Sequence, residues 1–255
     1  MLIFIFSKTT KHLSFIIEIA STDYMTTASA VKGGADRIEL CSALSEGGLT
    51  SSFGLISQCR QDFDIPLFPI IRPRGGDFLY TEKEFDIIKK DVLLCKQLGC
   101  DGTVTGFLLK DGNIDKERIS IITELAYPLQ VTFHRAFDRC LDPLKALEDI
   151  IESGCTRILT SAQSSKAIEG AELLKQLIEK ANGRIIIMPG SGVRKENIKM
   201  LAEKTGATEF HSSLSGFSAS NMNFIHPAFS ASKSDYLNNA IIAEEVQALR
   251  KALID

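Results

Sequence analysis

The chain has 255 residues, 44% hydrophobic and 24% charged, with 29 Lys+Arg against 32 Asp+Glu and a net charge of −3. That length and composition suit one substantial core and exclude wholesale disorder. The charge balance excludes a nucleic-acid backbone or an anionic membrane surface as partner. Six cysteines without a Cys-x-x-Cys pair are too dilute for a disulfide scaffold, and they predict reduced thiols in the cytoplasm.

The apolar run Leu2–Phe6 stops at Ser7. It is too short to span a bilayer and lacks the basic start of a signal peptide. Residues 1–14 are therefore set apart as an N-terminal extension, and 15–255 are expected to form one domain. In chain order, strands are predicted at Phe15–Ile19, Arg37–Cys41, Pro66–Arg72, Gly102–Gly106, Gln130–His134, Arg157–Thr160, Arg184–Met188 and Thr208–His211. Helices are predicted at Asp23–Lys32, Ser52–Phe63, Thr81–Leu98, Asp115–Ala126, Asp142–Ser153, Lys166–Ala181 and Arg194–Thr205. A polar loop, Ser212–Asp235, then leads to a last helix, Asn238–Leu253. Thr81 with Glu84 makes a capping box, and Asp142-Pro143 a cap followed by proline at the first helical position. Gly33-Gly34, Gly99, Gly154 and Gly206 follow helices, where a left-handed residue is needed. Eight short apolar strands alternating with amphipathic helices predict an α/β fold, a single (β/α)8 TIM-like barrel.

Active sites of such barrels lie at the C-terminal ends of the strands. Strand side chains alternate between the barrel interior and the helix layer. Glu18, Glu39, Arg72, Thr103, Thr105, Thr132, His134, Glu209 and His211 share the inward parity, with Arg74 just beyond the third strand. A self-satisfied ion-pair network of Glu18, Glu39, Glu209, Arg72 and His134 is one reading of them. A polar, cup-shaped pocket for acid–base chemistry is the favoured one, with Glu18, Glu39, Arg72, His134, Asp138 and His211 as its working residues. Asp138, in His134-Arg135-Ala136-Phe137-Asp138, is positioned to orient His134 or to bind Arg135. The turn Gly190-Ser191-Gly192, read as opening into a helix start, offers backbone amides to an anion. Ser161, Ser212 and Ser213 add hydroxyls, and Arg74 joins Arg72 around Pro73 as an anion clamp.

Five segments then stand out together: Gly33–Cys41, Glu46–Thr50, Ile71–Phe78, Thr132–Asp138 and Arg157–Ser161. In this order they resemble the CutC family, the copper homeostasis protein family, from about Phe15 to Asn223. The resemblance implies a TIM-like barrel, a cytoplasmic location, a homodimer and a role in copper handling, with no settled enzymatic reaction. It also implies copper binding by two cysteines at the ends of the first two strands. Cys41 matches the second, but Ala20 stands at the first. Cu(I) prefers two or three sulfur ligands, so Cys41 alone is expected to bind it weakly. Copper homeostasis is the function expected from the resemblance, with a copper ion or a small anionic ligand as partner. An enzyme acting on a small anionic or phosphorylated metabolite is the alternative expected from the residues.

Overall fold

The computed structural model describes residues 15–230 and 233–254; the extension assigned to residues 1–14 lies outside them. The strands and helices alternate as β1 Ile16–Ser21, α1 Tyr24–Lys32, β2 Arg37–Leu40, α2 Phe53–Asp62, β3 Leu67–Pro69, α3 Glu82–Gln97, β4 Gly102–Thr105 and α4 Lys116–Ala126. They continue as β5 Gln130–Phe133, α5 Pro143–Glu152, β6 Arg157–Thr160, α6 Ala171–Ala181, β7 Ile186–Pro189, α7 Ile198–Thr205 and β8 Glu209–Ser212. An antiparallel hairpin of β9 Gly216–Ala219 and β10 Leu237–Ala240 precedes the last helix, α8 Ala243–Ile254.

The eight barrel strands run parallel in two halves, β3-β2-β1-β8 and β4-β5-β6-β7. At one seam the Ile71 N–H donates to the Val104 carbonyl at 2.8 Å. At the other, side chains cross between the halves: Arg157 Nε meets Glu209 Oε2 at 2.7 Å, and the Ser212 hydroxyl donates to the Val193 carbonyl at 2.8 Å. The fold is the predicted (β/α)8 barrel. Its largest apolar layer lies between strands and helices, where Ile17, Ile19, Ile38, Leu40, Phe133 and Phe210 are almost fully buried. The opposite parity carries the polar residues into the interior.

Local chemistry explains the element boundaries. Both strokes of the Thr81–Glu84 capping box form, and the Asp142 carboxylate accepts from the Leu144 and Lys145 amides. Gly34, Gly99, Gly154 and Gly206 all adopt positive φ, whereas Gly33 is right-handed. Three starts fall later than predicted. Helix α6 begins at Ala171 rather than Lys166, because the Ala167 N–H donates to the Ser191 carbonyl and the Gly170 N–H to that of Ala167, which holds the residues between in turns. Helix α7 begins at Ile198 rather than Arg194. The Asn197 side chain accepts from the Arg194 N–H and donates to the Gly192 carbonyl, which holds the preceding residues in a turn. Asn238–Ala240, predicted to open the last helix, belongs instead to β10, which pairs with Gly216–Ala219 from within the predicted polar loop. That pairing is non-local and invisible to helical periodicity.

Candidate functional site

Strand register places the charged groups side by side. Glu18 pairs in register with Arg37 on one side and His211 on the other, and Ala20 with Glu39. Arg37 Nε reaches Glu18 Oε2 at 2.5 Å, and its Nη2 reaches Glu209 Oε2 at 2.6 Å. Arg157 Nε shares that same Glu209 oxygen. Both guanidiniums lie over the Phe68 ring, 5.2 and 5.5 Å from its centroid. A buried ionic network therefore exists, but its cations are Arg37 and Arg157, which the sequence reading left out. Arg72 and His134 do not belong to it.

The network is one charge out of balance. Glu18, Glu39 and Glu209 face only two guanidiniums. One further proton neutralises the cluster, and the groups placed to hold it are Glu39 and His211. His211 Nδ1 lies 2.7 Å from Glu18 Oε1, and its Nε2 is 3.8 Å from Glu39 Oε1. Glu39 Oε2 is buried without a hydrogen-bond partner. Burial pushes the Glu39 carboxyl up to about 7 against the pull of His211. Burial alone would raise Glu18 as well, but Arg37 and His211 bring it down to about 2. Burial would lower His211, yet the charges of Glu39 and Glu18 raise it. A carboxylate on one ring nitrogen fixes the other to face its neighbour, so His211 presents Nε2 towards Glu39.

Above this pair opens a cavity of about 620 Å³ at the C-terminal ends of the strands. Of the residues singled out in the sequence, Glu39, His134, Asp138, Ser161, Gly190, Ser191, Gly192, His211, Ser212 and Ser213 line it. Glu18 lies beneath them, fully buried. Arg72, Arg74 and Cys41 are placed elsewhere.

The two arginines expected to clamp an anion are both bonded within the protein, Arg72 to backbone carbonyls. Its guanidinium donates to the carbonyls of Glu46, Gly48 and Gly76 at 2.6, 3.1 and 2.8 Å and lies over the Phe78 ring. Arg74 is turned away, bonded to Glu84 Oε1 at 2.5 Å and to Asp77 Oδ1 at 2.9 Å. Asp77 does hold one of the two arginines. Asp138 neither orients His134 nor forms an ion pair with Arg135. Its carboxylate accepts from the Thr160 hydroxyl at 2.5 Å and from the Ser161 and Gln163 amides. His134 is buried, with Nδ1 accepting from the Ala136 N–H at 3.3 Å and Nε2 unpartnered. Burial, then the nearby Arg72 and Arg135 charges, hold its pKa down at about 3.

The glycine turn departs from a helix-end anion site. It lies several residues ahead of α7, so its donors are loop amides rather than a helix N-terminus. Ser191 and Gly192 both have positive φ, 76° and 70°. A methyl group at Gly190 would sit 2.4 Å from Leu159 Cδ1, so a side chain there would displace Leu159. The hydroxyls expected to serve a ligand are largely committed: Ser161 donates to the Ser164 carbonyl, Ser191 to that of Ser165 and Ser212 to that of Val193. The Ser213 hydroxyl meets that of Ser215 at 3.3 Å, and the Ser191 and Gly192 amides remain the donors of this wall.

Cys41 packs in a small buried cluster with Phe68, Ile70 and Val104. Burial, then the Glu39 charge, pushes its thiol far above the usual range. The other five cysteines are also buried and unpaired. Among the described residues, the one group of three metal-capable side chains is Glu18, Glu39 and His211. These are oxygen and imidazole donors, unlike the soft sulfur set Cu(I) prefers. The residues present do not form a Cu(I) thiolate site.

Residues 15–216 match the CutC family. The chain is 48% identical over 210 residues to a human protein named copper homeostasis protein cutC homolog, covering 82% of this chain and 77% of that one. It is 46% identical over 241 residues to a Chromobacterium violaceum family protein CutC, covering 93% and 98%. A solved CutC structure from Streptococcus agalactiae superposes with a TM-score of 0.74 at 34% identity, covering 77% of this chain and 97% of that one. A phosphoribosylanthranilate isomerase from Thermotoga maritima, at 10% identity and a TM-score of 0.57, shares the fold alone.

Proposed function

The chain belongs to the CutC family, and from that premise we propose that its strand-end cavity binds a small anionic metabolite, of the phosphorylated class, and exchanges a proton with it. The observation that carries this reading is the buried ionic cluster, in which three carboxylates face two guanidiniums and Glu39 and His211 stand at the cavity floor, 3.8 Å apart. A carboxyl poised near neutral pH beside an imidazole is the pairing that general acid–base chemistry uses. The Ser191 and Gly192 amides supply anion donors on the wall nearby. The reading places the protein in the cytoplasm, supported by its six unpaired thiols, and takes it as a homodimer.

The test is thermal unfolding of the unaltered protein with glycerol 3-phosphate. A ligand that binds only the folded state raises the midpoint with saturable, mass-action dependence. That result is expected; no saturable shift would refute the reading.

Relatives named for copper homeostasis carry a second reading, in which Cys41 is a residual copper ligand. A thiol must be deprotonated to bind Cu(I), and Cys41 is buried, with Ala20 where a partner thiol would stand. Competition against a chromogenic Cu(I) chelator under reducing conditions is expected to show weak binding, strengthened by Ala20→Cys. Tight unit-stoichiometry binding abolished by Cys41→Ser would contradict this and favour the copper role.

A further inference from the structure

We propose that the ligand of this cavity carries two anionic groups, the second of them held by Arg135 and Arg139. The inference rests on the pocket reading above and adds a second anchoring point to it.

Both residues belong to the short helix Arg135–Arg139 after β5, anchored by the buried Ala136 and Phe137 between them. Both line the cavity. Their partners set them apart from the other arginines. Arg37, Arg60, Arg74, Arg118, Arg157, Arg184 and Arg250 each pair with a carboxylate. Arg72 is spent on three carbonyls, and Arg194 on the Val193 carbonyl and the Ser212 hydroxyl. Among the described residues, neither Arg135 nor Arg139 has a carboxylate within ion-pairing distance. Arg139 meets only the Asp138 carbonyl, at 3.4 Å.

The nearest carboxylate in sequence, Asp138, acts on Arg135 by its charge but forms no ion pair with it, its oxygens accepting from Thr160, Ser161 and Gln163. Arg72 lies behind Arg135, outside the cavity: the space beside Gly47 is bounded by Arg135 Nη1 and Arg72 Nη1, 3.3 and 3.5 Å from where a methyl group would lie. Two neighbouring guanidiniums on a cavity wall, neither of them ion-paired, are donors that a bound anion would engage. Arginine forks suit both carboxylate and phosphate. The Ser191 and Gly192 amides belong to other loops of the same cavity, so the two donor sets can engage two groups of one molecule. The class is thus a compact metabolite with two anionic groups, such as a phosphorylated carboxylic acid.

The probes are glycerol 3-phosphate, with one anionic group, and 3-phosphoglycerate, with a carboxylate added. By isothermal titration the unaltered protein is expected to prefer 3-phosphoglycerate by at least about tenfold, as a charge-assisted contact implies. The variant Arg135→Gln/Arg139→Gln is expected to bind the two compounds within about twofold and to keep its affinity for glycerol 3-phosphate. The variant Lys83→Gln/Lys90→Gln on α3 changes the charge equally and is expected to keep the preference. Equal binding of both compounds by the unaltered protein would overturn the second anchor and leave the pocket reading standing. A preference that survives in the arginine variant would overturn it too. If neither compound binds, both readings fall.

Discussion

Replacing Arg37 by methionine is expected to cost about 3–5 kcal/mol of folding stability, the usual penalty for removing one partner of a buried ionic group. Arg37 is 6% exposed and ties Glu18 to Glu209 across the barrel. Without it, Glu18 keeps only His211, and Glu209 keeps only Arg157. The loss is a large share of the stability of an ordinary domain. Urea denaturation measures it. The double variant Arg37→Met/Glu18→Gln removes the stranded carboxylate while leaving a side chain that His211 Nδ1–H can still reach, and is expected to recover about half of the loss. A cost below about 1 kcal/mol for Arg37→Met would mean that the network does not organise the barrel interior.

The second large effect is a dependence on pH that Glu39→Gln removes. The Glu39 carboxyl is raised from its ordinary 4.5 to about 7 in the folded state, and His211 is raised as well. The folded protein therefore holds a proton that the unfolded chain releases. The stability this provides is full below about pH 4.5, the unfolded carboxyl value, and is lost as the pH rises through about 7. A glutamine amide at this position takes no part in the exchange. Relative to the unaltered protein, Glu39→Gln is expected to be more stable by about 1–3 kcal/mol at pH 8, with the gap closing near pH 5. His134 acts in the opposite sense. Held down at about 3, it costs stability as the pH falls below 6.5. Because His134 is present in both proteins, the comparison cancels its contribution. Urea denaturation at the two pH values is the measurement; a difference independent of pH would remove the titrating pair from the account.

The barrel was legible because its signals are local. Caps at Thr81 and Asp142, and glycines at helix ends, fall where strand and helix periodicities change. The parity rule brought Glu39, His134 and His211 to one cavity, because alternation along a strand fixes the face each side chain occupies. It carried less about partners. Arg37 shares the parity of Glu39 but stands at the start of β2, at the opposite end from the expected site, and so went unweighed. Arg157 opens β6 in the same way. A charged residue opening an otherwise buried strand is the signal that could have found both. Arg72 and Arg74 looked alike around Pro73, yet one is spent on carbonyls and the other on Glu84. Those choices depend on loops distant in sequence. The serine hydroxyls were misjudged for a related reason: a loop's own carbonyls lie closer than any ligand. The β9–β10 hairpin escaped because its two strands lie far apart along the chain.

Nuclear magnetic resonance of the imidazole nitrogens as a function of pH reads the shared proton most directly, in a chain with only four histidines to assign. The account predicts that His211 titrates above the ordinary histidine value of 6.5 and carries its proton on Nδ1 when neutral, towards Glu18. It also predicts that His211 titrates lower in Glu39→Gln than in the unaltered protein, because the Glu39 charge is the largest influence raising His211. A His211 that titrates at or below 6.5 and does not respond to Glu39→Gln would contradict the shared proton, and with it the acid–base reading of the cavity.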